Sequence, residues 1–435
     1  MVRDQMTEDR GWTAETMQLS DGVSRVLTNF VEWLHSYGET SWDHQSFFAG
    51  VLGRTAKSLY YENRLLGTAA VAPMIFFEAT LPFARRLFHR PVRFPIADAH
   101  YAMGFAFLYE ATGDFSQLEN AVHFLTELTT SRCRQFKEYC WGYPFDWVTR
   151  NGVIKQQTPL ITTTPYAYEA FLQVYGIFER TSSELNPLSS ACSPPSSALC
   201  PLDLLDQWND IMASIARHAS DDIKDFRTSA TASSCSYTPY GSGGVINAAA
   251  YRAFLLTSAS QVFSNDDYWK AAERNLNFVL EAQNPDGSWF YAVDGVRDFV
   301  DHYHTCFVMK ALAKIHALTR HEACGEALAK GVKYYIESLF AEDGLPRPFS
   351  KAPRLTVYKR ELYDCAECIN LCLLLRHRFP ALETTLEKVV EHILEAWVKR
   401  DGSFRSRLLH LGWDNVPMHR WGQAQMFRSL AFYLH

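Results

Sequence analysis

The chain has 435 residues, of which 47% are hydrophobic and 14% aromatic, with a formal net charge of -6 and a pI near 6.2. That apolar fraction suits a large core and excludes a disordered chain. The acidic balance argues against nucleic acid or an anionic membrane as the main partner, and the length is compatible with several average domains or one large toroid or barrel.

Met1 to Arg10 is polar and mixed in charge, without the apolar region of a secretory signal, so a cytoplasmic protein is expected. The longest apolar run, Gly67 to Leu87, is broken by Pro73, Glu78 and Pro82, so no membrane insertion is expected. Val23, Val26, Leu27, Phe30, Val31 and Leu34 recur at helical spacing and predict a helix over 22–36; 44–60 and 67–88 also read as helical. An apolar helix at 102–111 then precedes an amphipathic one at 116–130, joined by a short Thr-Gly-Asp turn. The pattern repeats: 166–178 with 202–218 across a Ser/Pro/Cys-rich insertion (181–201), 247–260 with 266–282, 303–318 with 323–340, 363–376 with 382–399, and finally 421–434. Six helices are apolar nearly all round, which marks burial on both sides, and their partners are one-sided.

The period is fixed. Asp286-Gly287, Asp343-Gly344 and Asp401-Gly402 lie 57 and 58 residues apart, and His304, Tyr363 and Trp421 lie 59 and 58 apart. A period of this size marks a repeat architecture. The solution that buries six such helices is an inner ring of six inside an outer ring of about six: an all-α, single-domain (α/α)6 toroid spanning 1–435, with the N-terminal helices of 1–94 closing the ring. Turns from inner to outer helices are short and the return connections long. The cleft is therefore expected at the N-terminal ends of the inner helices, where unpaired N–H groups and helix dipoles favour anions.

Gln283-Asn284-Pro285-Asp286-Gly287-Ser288-Trp289 resembles the Q-x-x-D-G-S-W joint of squalene cyclases and protein prenyltransferases, and joints in six-hairpin carbohydrate-active enzymes. Asp301-His302-Tyr303-His304-Thr305 resembles the Y-H-T stretch in the helical domain of glucuronyl C5-epimerases and is similar to a helix start in bacterial exopolysaccharide-biosynthesis proteins. These likenesses cover the C-terminal half at motif level and imply a toroid. The Asp-x-Asp-Asp acid of class II cyclases is missing. Asp221, Asp222 and Asp225 match a D-D-x-x-D magnesium motif by letters, yet they trail an outer helix into a Ser/Thr-rich loop, and no metal or other cofactor is expected.

The inner-helix starts and long loops bring together aromatics, acids, histidines and a few arginines, a mixture suited to sugar, whose apolar faces pack on rings while its hydroxyls bind charged and amide groups. Expected catalytic residues are His304, Asp364, Tyr363, Arg420 and Asp98; expected substrate-binding residues are Tyr166, Asn247, Asp301, Trp141, Asp146, Trp421 and Tyr291. Asp301 also reads as an N-cap, Trp289 as a wedge between outer helices, and Cys365, Cys368 and Cys372 as core rather than zinc ligands.

Two mechanisms compete. Glycosidic cleavage needs two carboxylates, which Asp98, Asp146, Asp301, Asp364 and Glu367 could supply. Proton abstraction at C5 of a uronic acid, as in lyases and epimerases, needs a carboxylate partner (Arg420, Asn247 or His304) and a base (Tyr363, Tyr166 or His304). The sequence reads as a carbohydrate-active enzyme of polysaccharide biosynthesis with an oligo- or polysaccharide partner; a terpenoid-cyclase or prenyltransferase-like enzyme and a non-catalytic glycan-binding scaffold are the alternatives. Oligomeric state is not legible.

Overall fold

The computed structural model describes residues 14–185 and 201–435. The stretch Met1 to Arg10 and the 186–200 part of the Ser/Pro/Cys-rich insertion lie outside the described residues.

Helix α1 (Ala14–Tyr37) is followed by a helical excursion, α2 (Val51–Glu62) and α3 (Arg64–Thr80), and then by five pairs. These are α4 (Pro95–Thr112) with α5 (Phe115–Ser131), α6 (Thr164–Leu185) with α7 (Pro201–Arg217), α8 (Ile246–Val262) with α9 (Asp266–Glu281), α10 (His302–Thr319) with α11 (Glu322–Ser338), and α12 (Leu362–Leu375) with α13 (Ala381–His392). Helix α14 (Ala424–Leu434) ends the chain. The first member of each pair is the more deeply buried one, most completely in α8, where every residue from Ile246 to Ala259 is buried. Its partner buries one stripe, as in α9 with Ala271, Ala272, Asn275, Leu276, Phe278 and Val279.

Helices α4, α6, α8, α10, α12 and α14 pack in that order, and α14 packs back on α4, which closes the inner ring. Helix α1 lies against α14 and α13 and so completes the outer ring. The expected (α/α)6 toroid is therefore the observed fold. Closure is tight: a Cβ on Gly104 of α4 would sit 2.6 Å from the Phe427 ring and 3.1 Å from Arg428 Cα. Phe427 in turn stacks on Phe30 of α1 and packs on Phe105 of α4, with centroids 5.3 and 4.7 Å away.

The joints repeat as the spacing predicts. Oδ1 of Asp286, Asp343 and Asp401 accepts the N–H of Ser288, Leu345 and Ser403 at 2.9, 3.0 and 3.0 Å, and Gly287, Gly344 and Gly402 follow with φ of 93°, 72° and 90°. An Asx turn with a left-handed glycine thus reverses the chain at each joint. Trp289 is the expected wedge: it is buried, and Nε1 donates to the Val279 carbonyl at the end of α9, 2.9 Å away.

On the long-loop side lie short antiparallel pairs: β1 (Trp147–Thr149) with β2 (Gly152–Ile154), β3 (Asp225–Arg227) with β4 (Ser233–Cys235), β5 (Val300–Asp301) with β6 (Phe349–Lys351), and the three-stranded β7 (Tyr358–Glu361), β8 (Arg407–Leu409) and β9 (Gly412–Asp414). The α2–α3 excursion is fastened to these loops: Arg407 bonds Glu78 and Glu361 at 2.7 Å each, Arg85 makes a two-pronged pair with Asp414 at 3.0 and 2.6 Å, and Arg54 pairs with Asp146 at 2.5 Å.

Gly104→Ala tests ring closure. Helix propensity alone favours alanine by about 1 kcal/mol. Overpacking against Phe427 costs about 1–3 kcal/mol, so net destabilisation is expected in chemical denaturation. Gly113, whose Cβ would meet nothing within 4 Å, serves as the control: with φ of 71°, its alanine variant carries only the left-handed backbone cost of about 1–2 kcal/mol.

Candidate active site at the long-loop face

Asp301 ends β5 and caps α10. Its Oδ1 accepts the His304 N–H at 3.1 Å and its Oδ2 accepts from His304 Nδ1 at 2.6 Å. The cap expected of Asp301 is observed, and the carboxylate expected to bind substrate is bonded to the His304 imidazole, whose plane it sets. Asp301 is buried and His304 is 20% exposed, so Nε2 is the ring nitrogen left for a ligand. The ring is walled by Tyr291, Tyr303 and Phe307 at 4.7, 4.4 and 5.6 Å.

The aromatic wall continues from Tyr303 to Tyr363 (5.2 Å) and from Tyr363 edge-on to Trp421 (4.9 Å). Trp421 reaches this wall because α14 starts only at Ala424, three residues later than the spacing predicts. The preceding turn, His419–Gln423, is kinked at Trp421 and Gly422, and the Gln423 amide is held by both backbone groups of Phe404. Burial pushes the Tyr303 and Tyr363 phenols well above their ordinary range, so they stay protonated and can donate hydrogen bonds.

Asp364 is fully buried, and neither carboxyl oxygen has a hydrogen-bond partner among the described residues. Burial, then the charges of Glu361, Asp301 and Glu367, push its pKa well up. A carboxyl in that setting is held neutral and can act as an acid or donor. Below this level the ring interior is polar: Lys310 pairs with Glu367, Lys314 with Glu169, and Arg428 with Glu169 at 3.3 Å. Tyr166 and Tyr251 share a 2.5 Å hydroxyl contact there and, with Lys310, Lys314 and Phe307, line a small pocket.

Other expected residues lie elsewhere or do other work. Trp141 is fully buried, and Nε1 donates to the Leu128 carbonyl at 2.8 Å, which makes it a joint wedge like Trp289 and no sugar platform. Arg420 is 2% exposed, lies 2.5 Å from Asp43 and is wrapped by Phe94, Tyr143, Phe145 and Trp421; its charge is spent inside the wall. Asp98 bonds Arg93 at 2.9 Å, and Arg93 also meets Glu39 and Glu127, so this acid joins an ion cluster with outer helix α5. Burial lifts Asp98 to about 7 against the opposing pull of Arg93. Asp146 is held by Arg54 and the Gln156 N–H at the rim. Asn247 is buried in the first turn of α8 with Oδ1 unpartnered. Of the acids in the magnesium-like motif, Asp225 pairs with Arg252 and Arg274 and Asp222 with His218. Cys365, Cys368 and Cys372 are buried in α12.

One residue escaped the sequence reading. His44, from the segment before α2, lies 5.1 Å from Trp421, and its Nδ1 is unpartnered. Burial, then the charges of Arg407, Arg420 and Arg85, hold its pKa well down, so the imidazole is neutral. The signal was present as Trp42-Asp43-His44, outside the repeat.

Among the described residues, a ring of six inner and six outer helices, with a histidine and aromatic cluster where the inner helices begin, defines an (α/α)6 toroid. Among solved structures this fold is similar to that of cellobiose 2-epimerase from Bacillus thermoamylovorans (TM-score 0.55, 9% identity, 78% of this chain and 87% of that one). It is also similar to an unsaturated glucuronyl hydrolase specific for heparin (0.52, 12%, 79% and 87%) and to D-mannose isomerase (0.51, 12%, 78% and 86%). By sequence, the chain matches no family model and no curated protein.

The Asp364 carboxyl gives a pH test. Its raised pKa means that the folded chain keeps a proton the unfolded chain releases, so its contribution is lost as pH rises above the unfolded value of about 3.9. Asp364→Asn, which cannot ionise, is expected to raise the melting temperature relative to the parent at pH 8 and to change it little at pH 4. A melting series across pH checks this.

Proposed function

We propose that the chain is a carbohydrate-active enzyme that moves a proton at a sugar carbon next to a carbonyl or carboxylate, as an epimerase, isomerase or lyase does. The observation that carries this reading is the Asp301–His304 pair inside an aromatic cleft. A carboxylate on Nδ1 fixes the imidazole and leaves Nε2 as the base. The neutral phenols of Tyr303 and Tyr363 and the Asp364 carboxyl supply donors for the oxygen that gains charge once the proton leaves. His44, neutral and beside Trp421, adds a second imidazole that can hydrogen-bond the sugar.

Hydrolysis is less well supported, because it needs two carboxylates free to flank the bond. Asp98, Asp146 and Glu367 are each tied to a cation, and Asp301 is tied to His304, which leaves only Asp364. The pairing of Arg420 with Asp43 occupies the one full cation among the three expected anchors for a uronate carboxylate, Arg420, Asn247 and His304, which favours a sugar carbonyl. Two proteins of similar fold, a cellobiose epimerase and a mannose isomerase, agree with proton transfer, and the glucuronyl hydrolase agrees with a saccharide substrate. A role in polysaccharide synthesis and a cytoplasmic location belong to the same proposal; among the described residues no helix is long and apolar enough to cross a membrane.

Incubation with neutral and uronate-containing saccharides in D2O is the test. Deuterium at a carbon next to the carbonyl or carboxylate, or an unsaturated product, is expected, and His304→Gln should lower kcat by about 10²–10⁴. Asp301→Asn should also lower kcat and change the shape of its pH profile. Release of reducing ends with no deuterium incorporation and no unsaturation would overturn proton transfer in favour of hydrolysis.

A further inference from the structure

Exposed large apolar side chains crowd the α2–α3 hairpin and the residues just beyond it, between Val51 and Leu87. In α3, Leu65, Ala69, Ala72 and Phe76 fall at i, i+4, i+7 and i+11, and all are exposed, with Leu65 at 86% and Phe76 at 60%. Val51 and Leu52 at the start of α2, and Leu81, Phe83 and Leu87 just beyond α3, extend the patch; Leu87 is 83% exposed. From Leu65 to Phe77 there is no charged residue, and Glu78, the next, turns inward to Arg407. A face of this kind on a folded protein marks a docking surface.

Charge says what covers it. Residues 44–94 contain seven Lys and Arg against Glu62 and Glu78, a net of +5 within a chain of -6. Lys57, Arg64, Arg86 and Arg90 have no acidic partner among the described residues, and Arg354 and Arg150 from neighbouring loops add to the field around Lys57 and Tyr61. We propose that this hairpin lies on an anionic lipid surface, with its apolar face in the headgroup boundary and its arginines on lipid phosphates. Apolar residues flanked by unpaired cations are the makings of an interfacial helix. A second copy of the chain would set the same positive charge opposite itself. The acidic total of the chain hides this local excess, which is why composition argued against a membrane partner.

The hairpin is built to hold its shape there. A Cβ on Gly67 of α3 would lie 2.0 Å from Tyr60 Cα of α2, so the two helices meet backbone to backbone. Through Glu78, Arg85 and Arg54 the hairpin is fixed to the loops on the cleft side, and docking would bring the cleft mouth close to the lipid.

Co-sedimentation of the full chain with phosphatidylcholine vesicles, with and without phosphatidylglycerol, tests the proposal. Binding to the anionic vesicles, weakened by salt, is expected. Leu65→Ser/Phe76→Ser/Leu87→Ser and Arg64→Glu/Arg86→Glu/Arg90→Glu should each weaken it by about tenfold or more. Unchanged circular dichroism confirms folding, and if the apolar variant misfolds, the charge variant decides, since its three side chains are exposed. Failure to bind either vesicle, or binding that neither variant weakens, overturns the proposal. So does a dimer in light scattering that the apolar variant dissociates without any vesicle binding, which would make this face a contact between copies.

Discussion

Everything in this molecule depends on the closing contact of the inner ring, where α14 meets α4 and α1. A stack of helical hairpins with apolar inner members has two raw ends, each exposing a buried-type helix to water. Joining the ends removes both at once, and the gain is hydrophobic and proportional to the apolar area withdrawn. The contact is possible because Gly104 lets Phe427 approach the α4 backbone and because Phe30 of α1 seals the seam from outside. Once the ring is closed, all six inner helices begin on one face. That common origin is what brings His304, Tyr363 and Trp421 together although they lie 59 and 58 residues apart.

The second organising force is the treatment of charge in a low-dielectric interior. Most buried acids near the cleft have a cation: Glu367 has Lys310, Glu361 and Glu78 share Arg407, and Asp414 has Arg85. Buried pairs of this kind contribute little net stability once desolvation is counted; what they give is a fixed register between the excursion and the loops. Against that background Asp364 stands out, since it lacks a hydrogen-bond partner among the described residues and is held neutral instead. Asp301 stands out for the opposite reason: its partner is the His304 imidazole rather than a lysine or arginine.

Much of the fold was legible in the sequence because toroids are periodic. The Asp-Gly joints repeat since each chain reversal needs the same Asx turn and the same left-handed residue, and the inner helices show themselves by apolar residues on every side. The site was legible only in part. Helix starts located the Asp301–His304 pair and the aromatic wall, but the pattern carries no information on which way a side chain points. Trp141 and Arg420 therefore looked like substrate contacts, although a tryptophan at a joint finds its N–H partner in the preceding helix and an arginine near a buried aspartate pairs with it. His44 was missed for a related reason. It belongs to the excursion, which has no repeat to be compared with, and it enters the site only through contacts between the two ends of the chain.

The seam between Phe30 and Phe427 also bears on how such a chain is made. Among the described helices, α1 leaves the ribosome before the others, yet its packing partners, α13 and α14, leave after them. At typical translation rates, roughly 20–90 s separate the two for a chain of this length. During that interval the apolar stripe of α1 and the open flank of α4 are both without cover, while the hairpins between them can already form. The nascent chain is thus an open arc with sticky ends, and whatever shields those ends in the cell decides between a closed ring and arcs that join to one another.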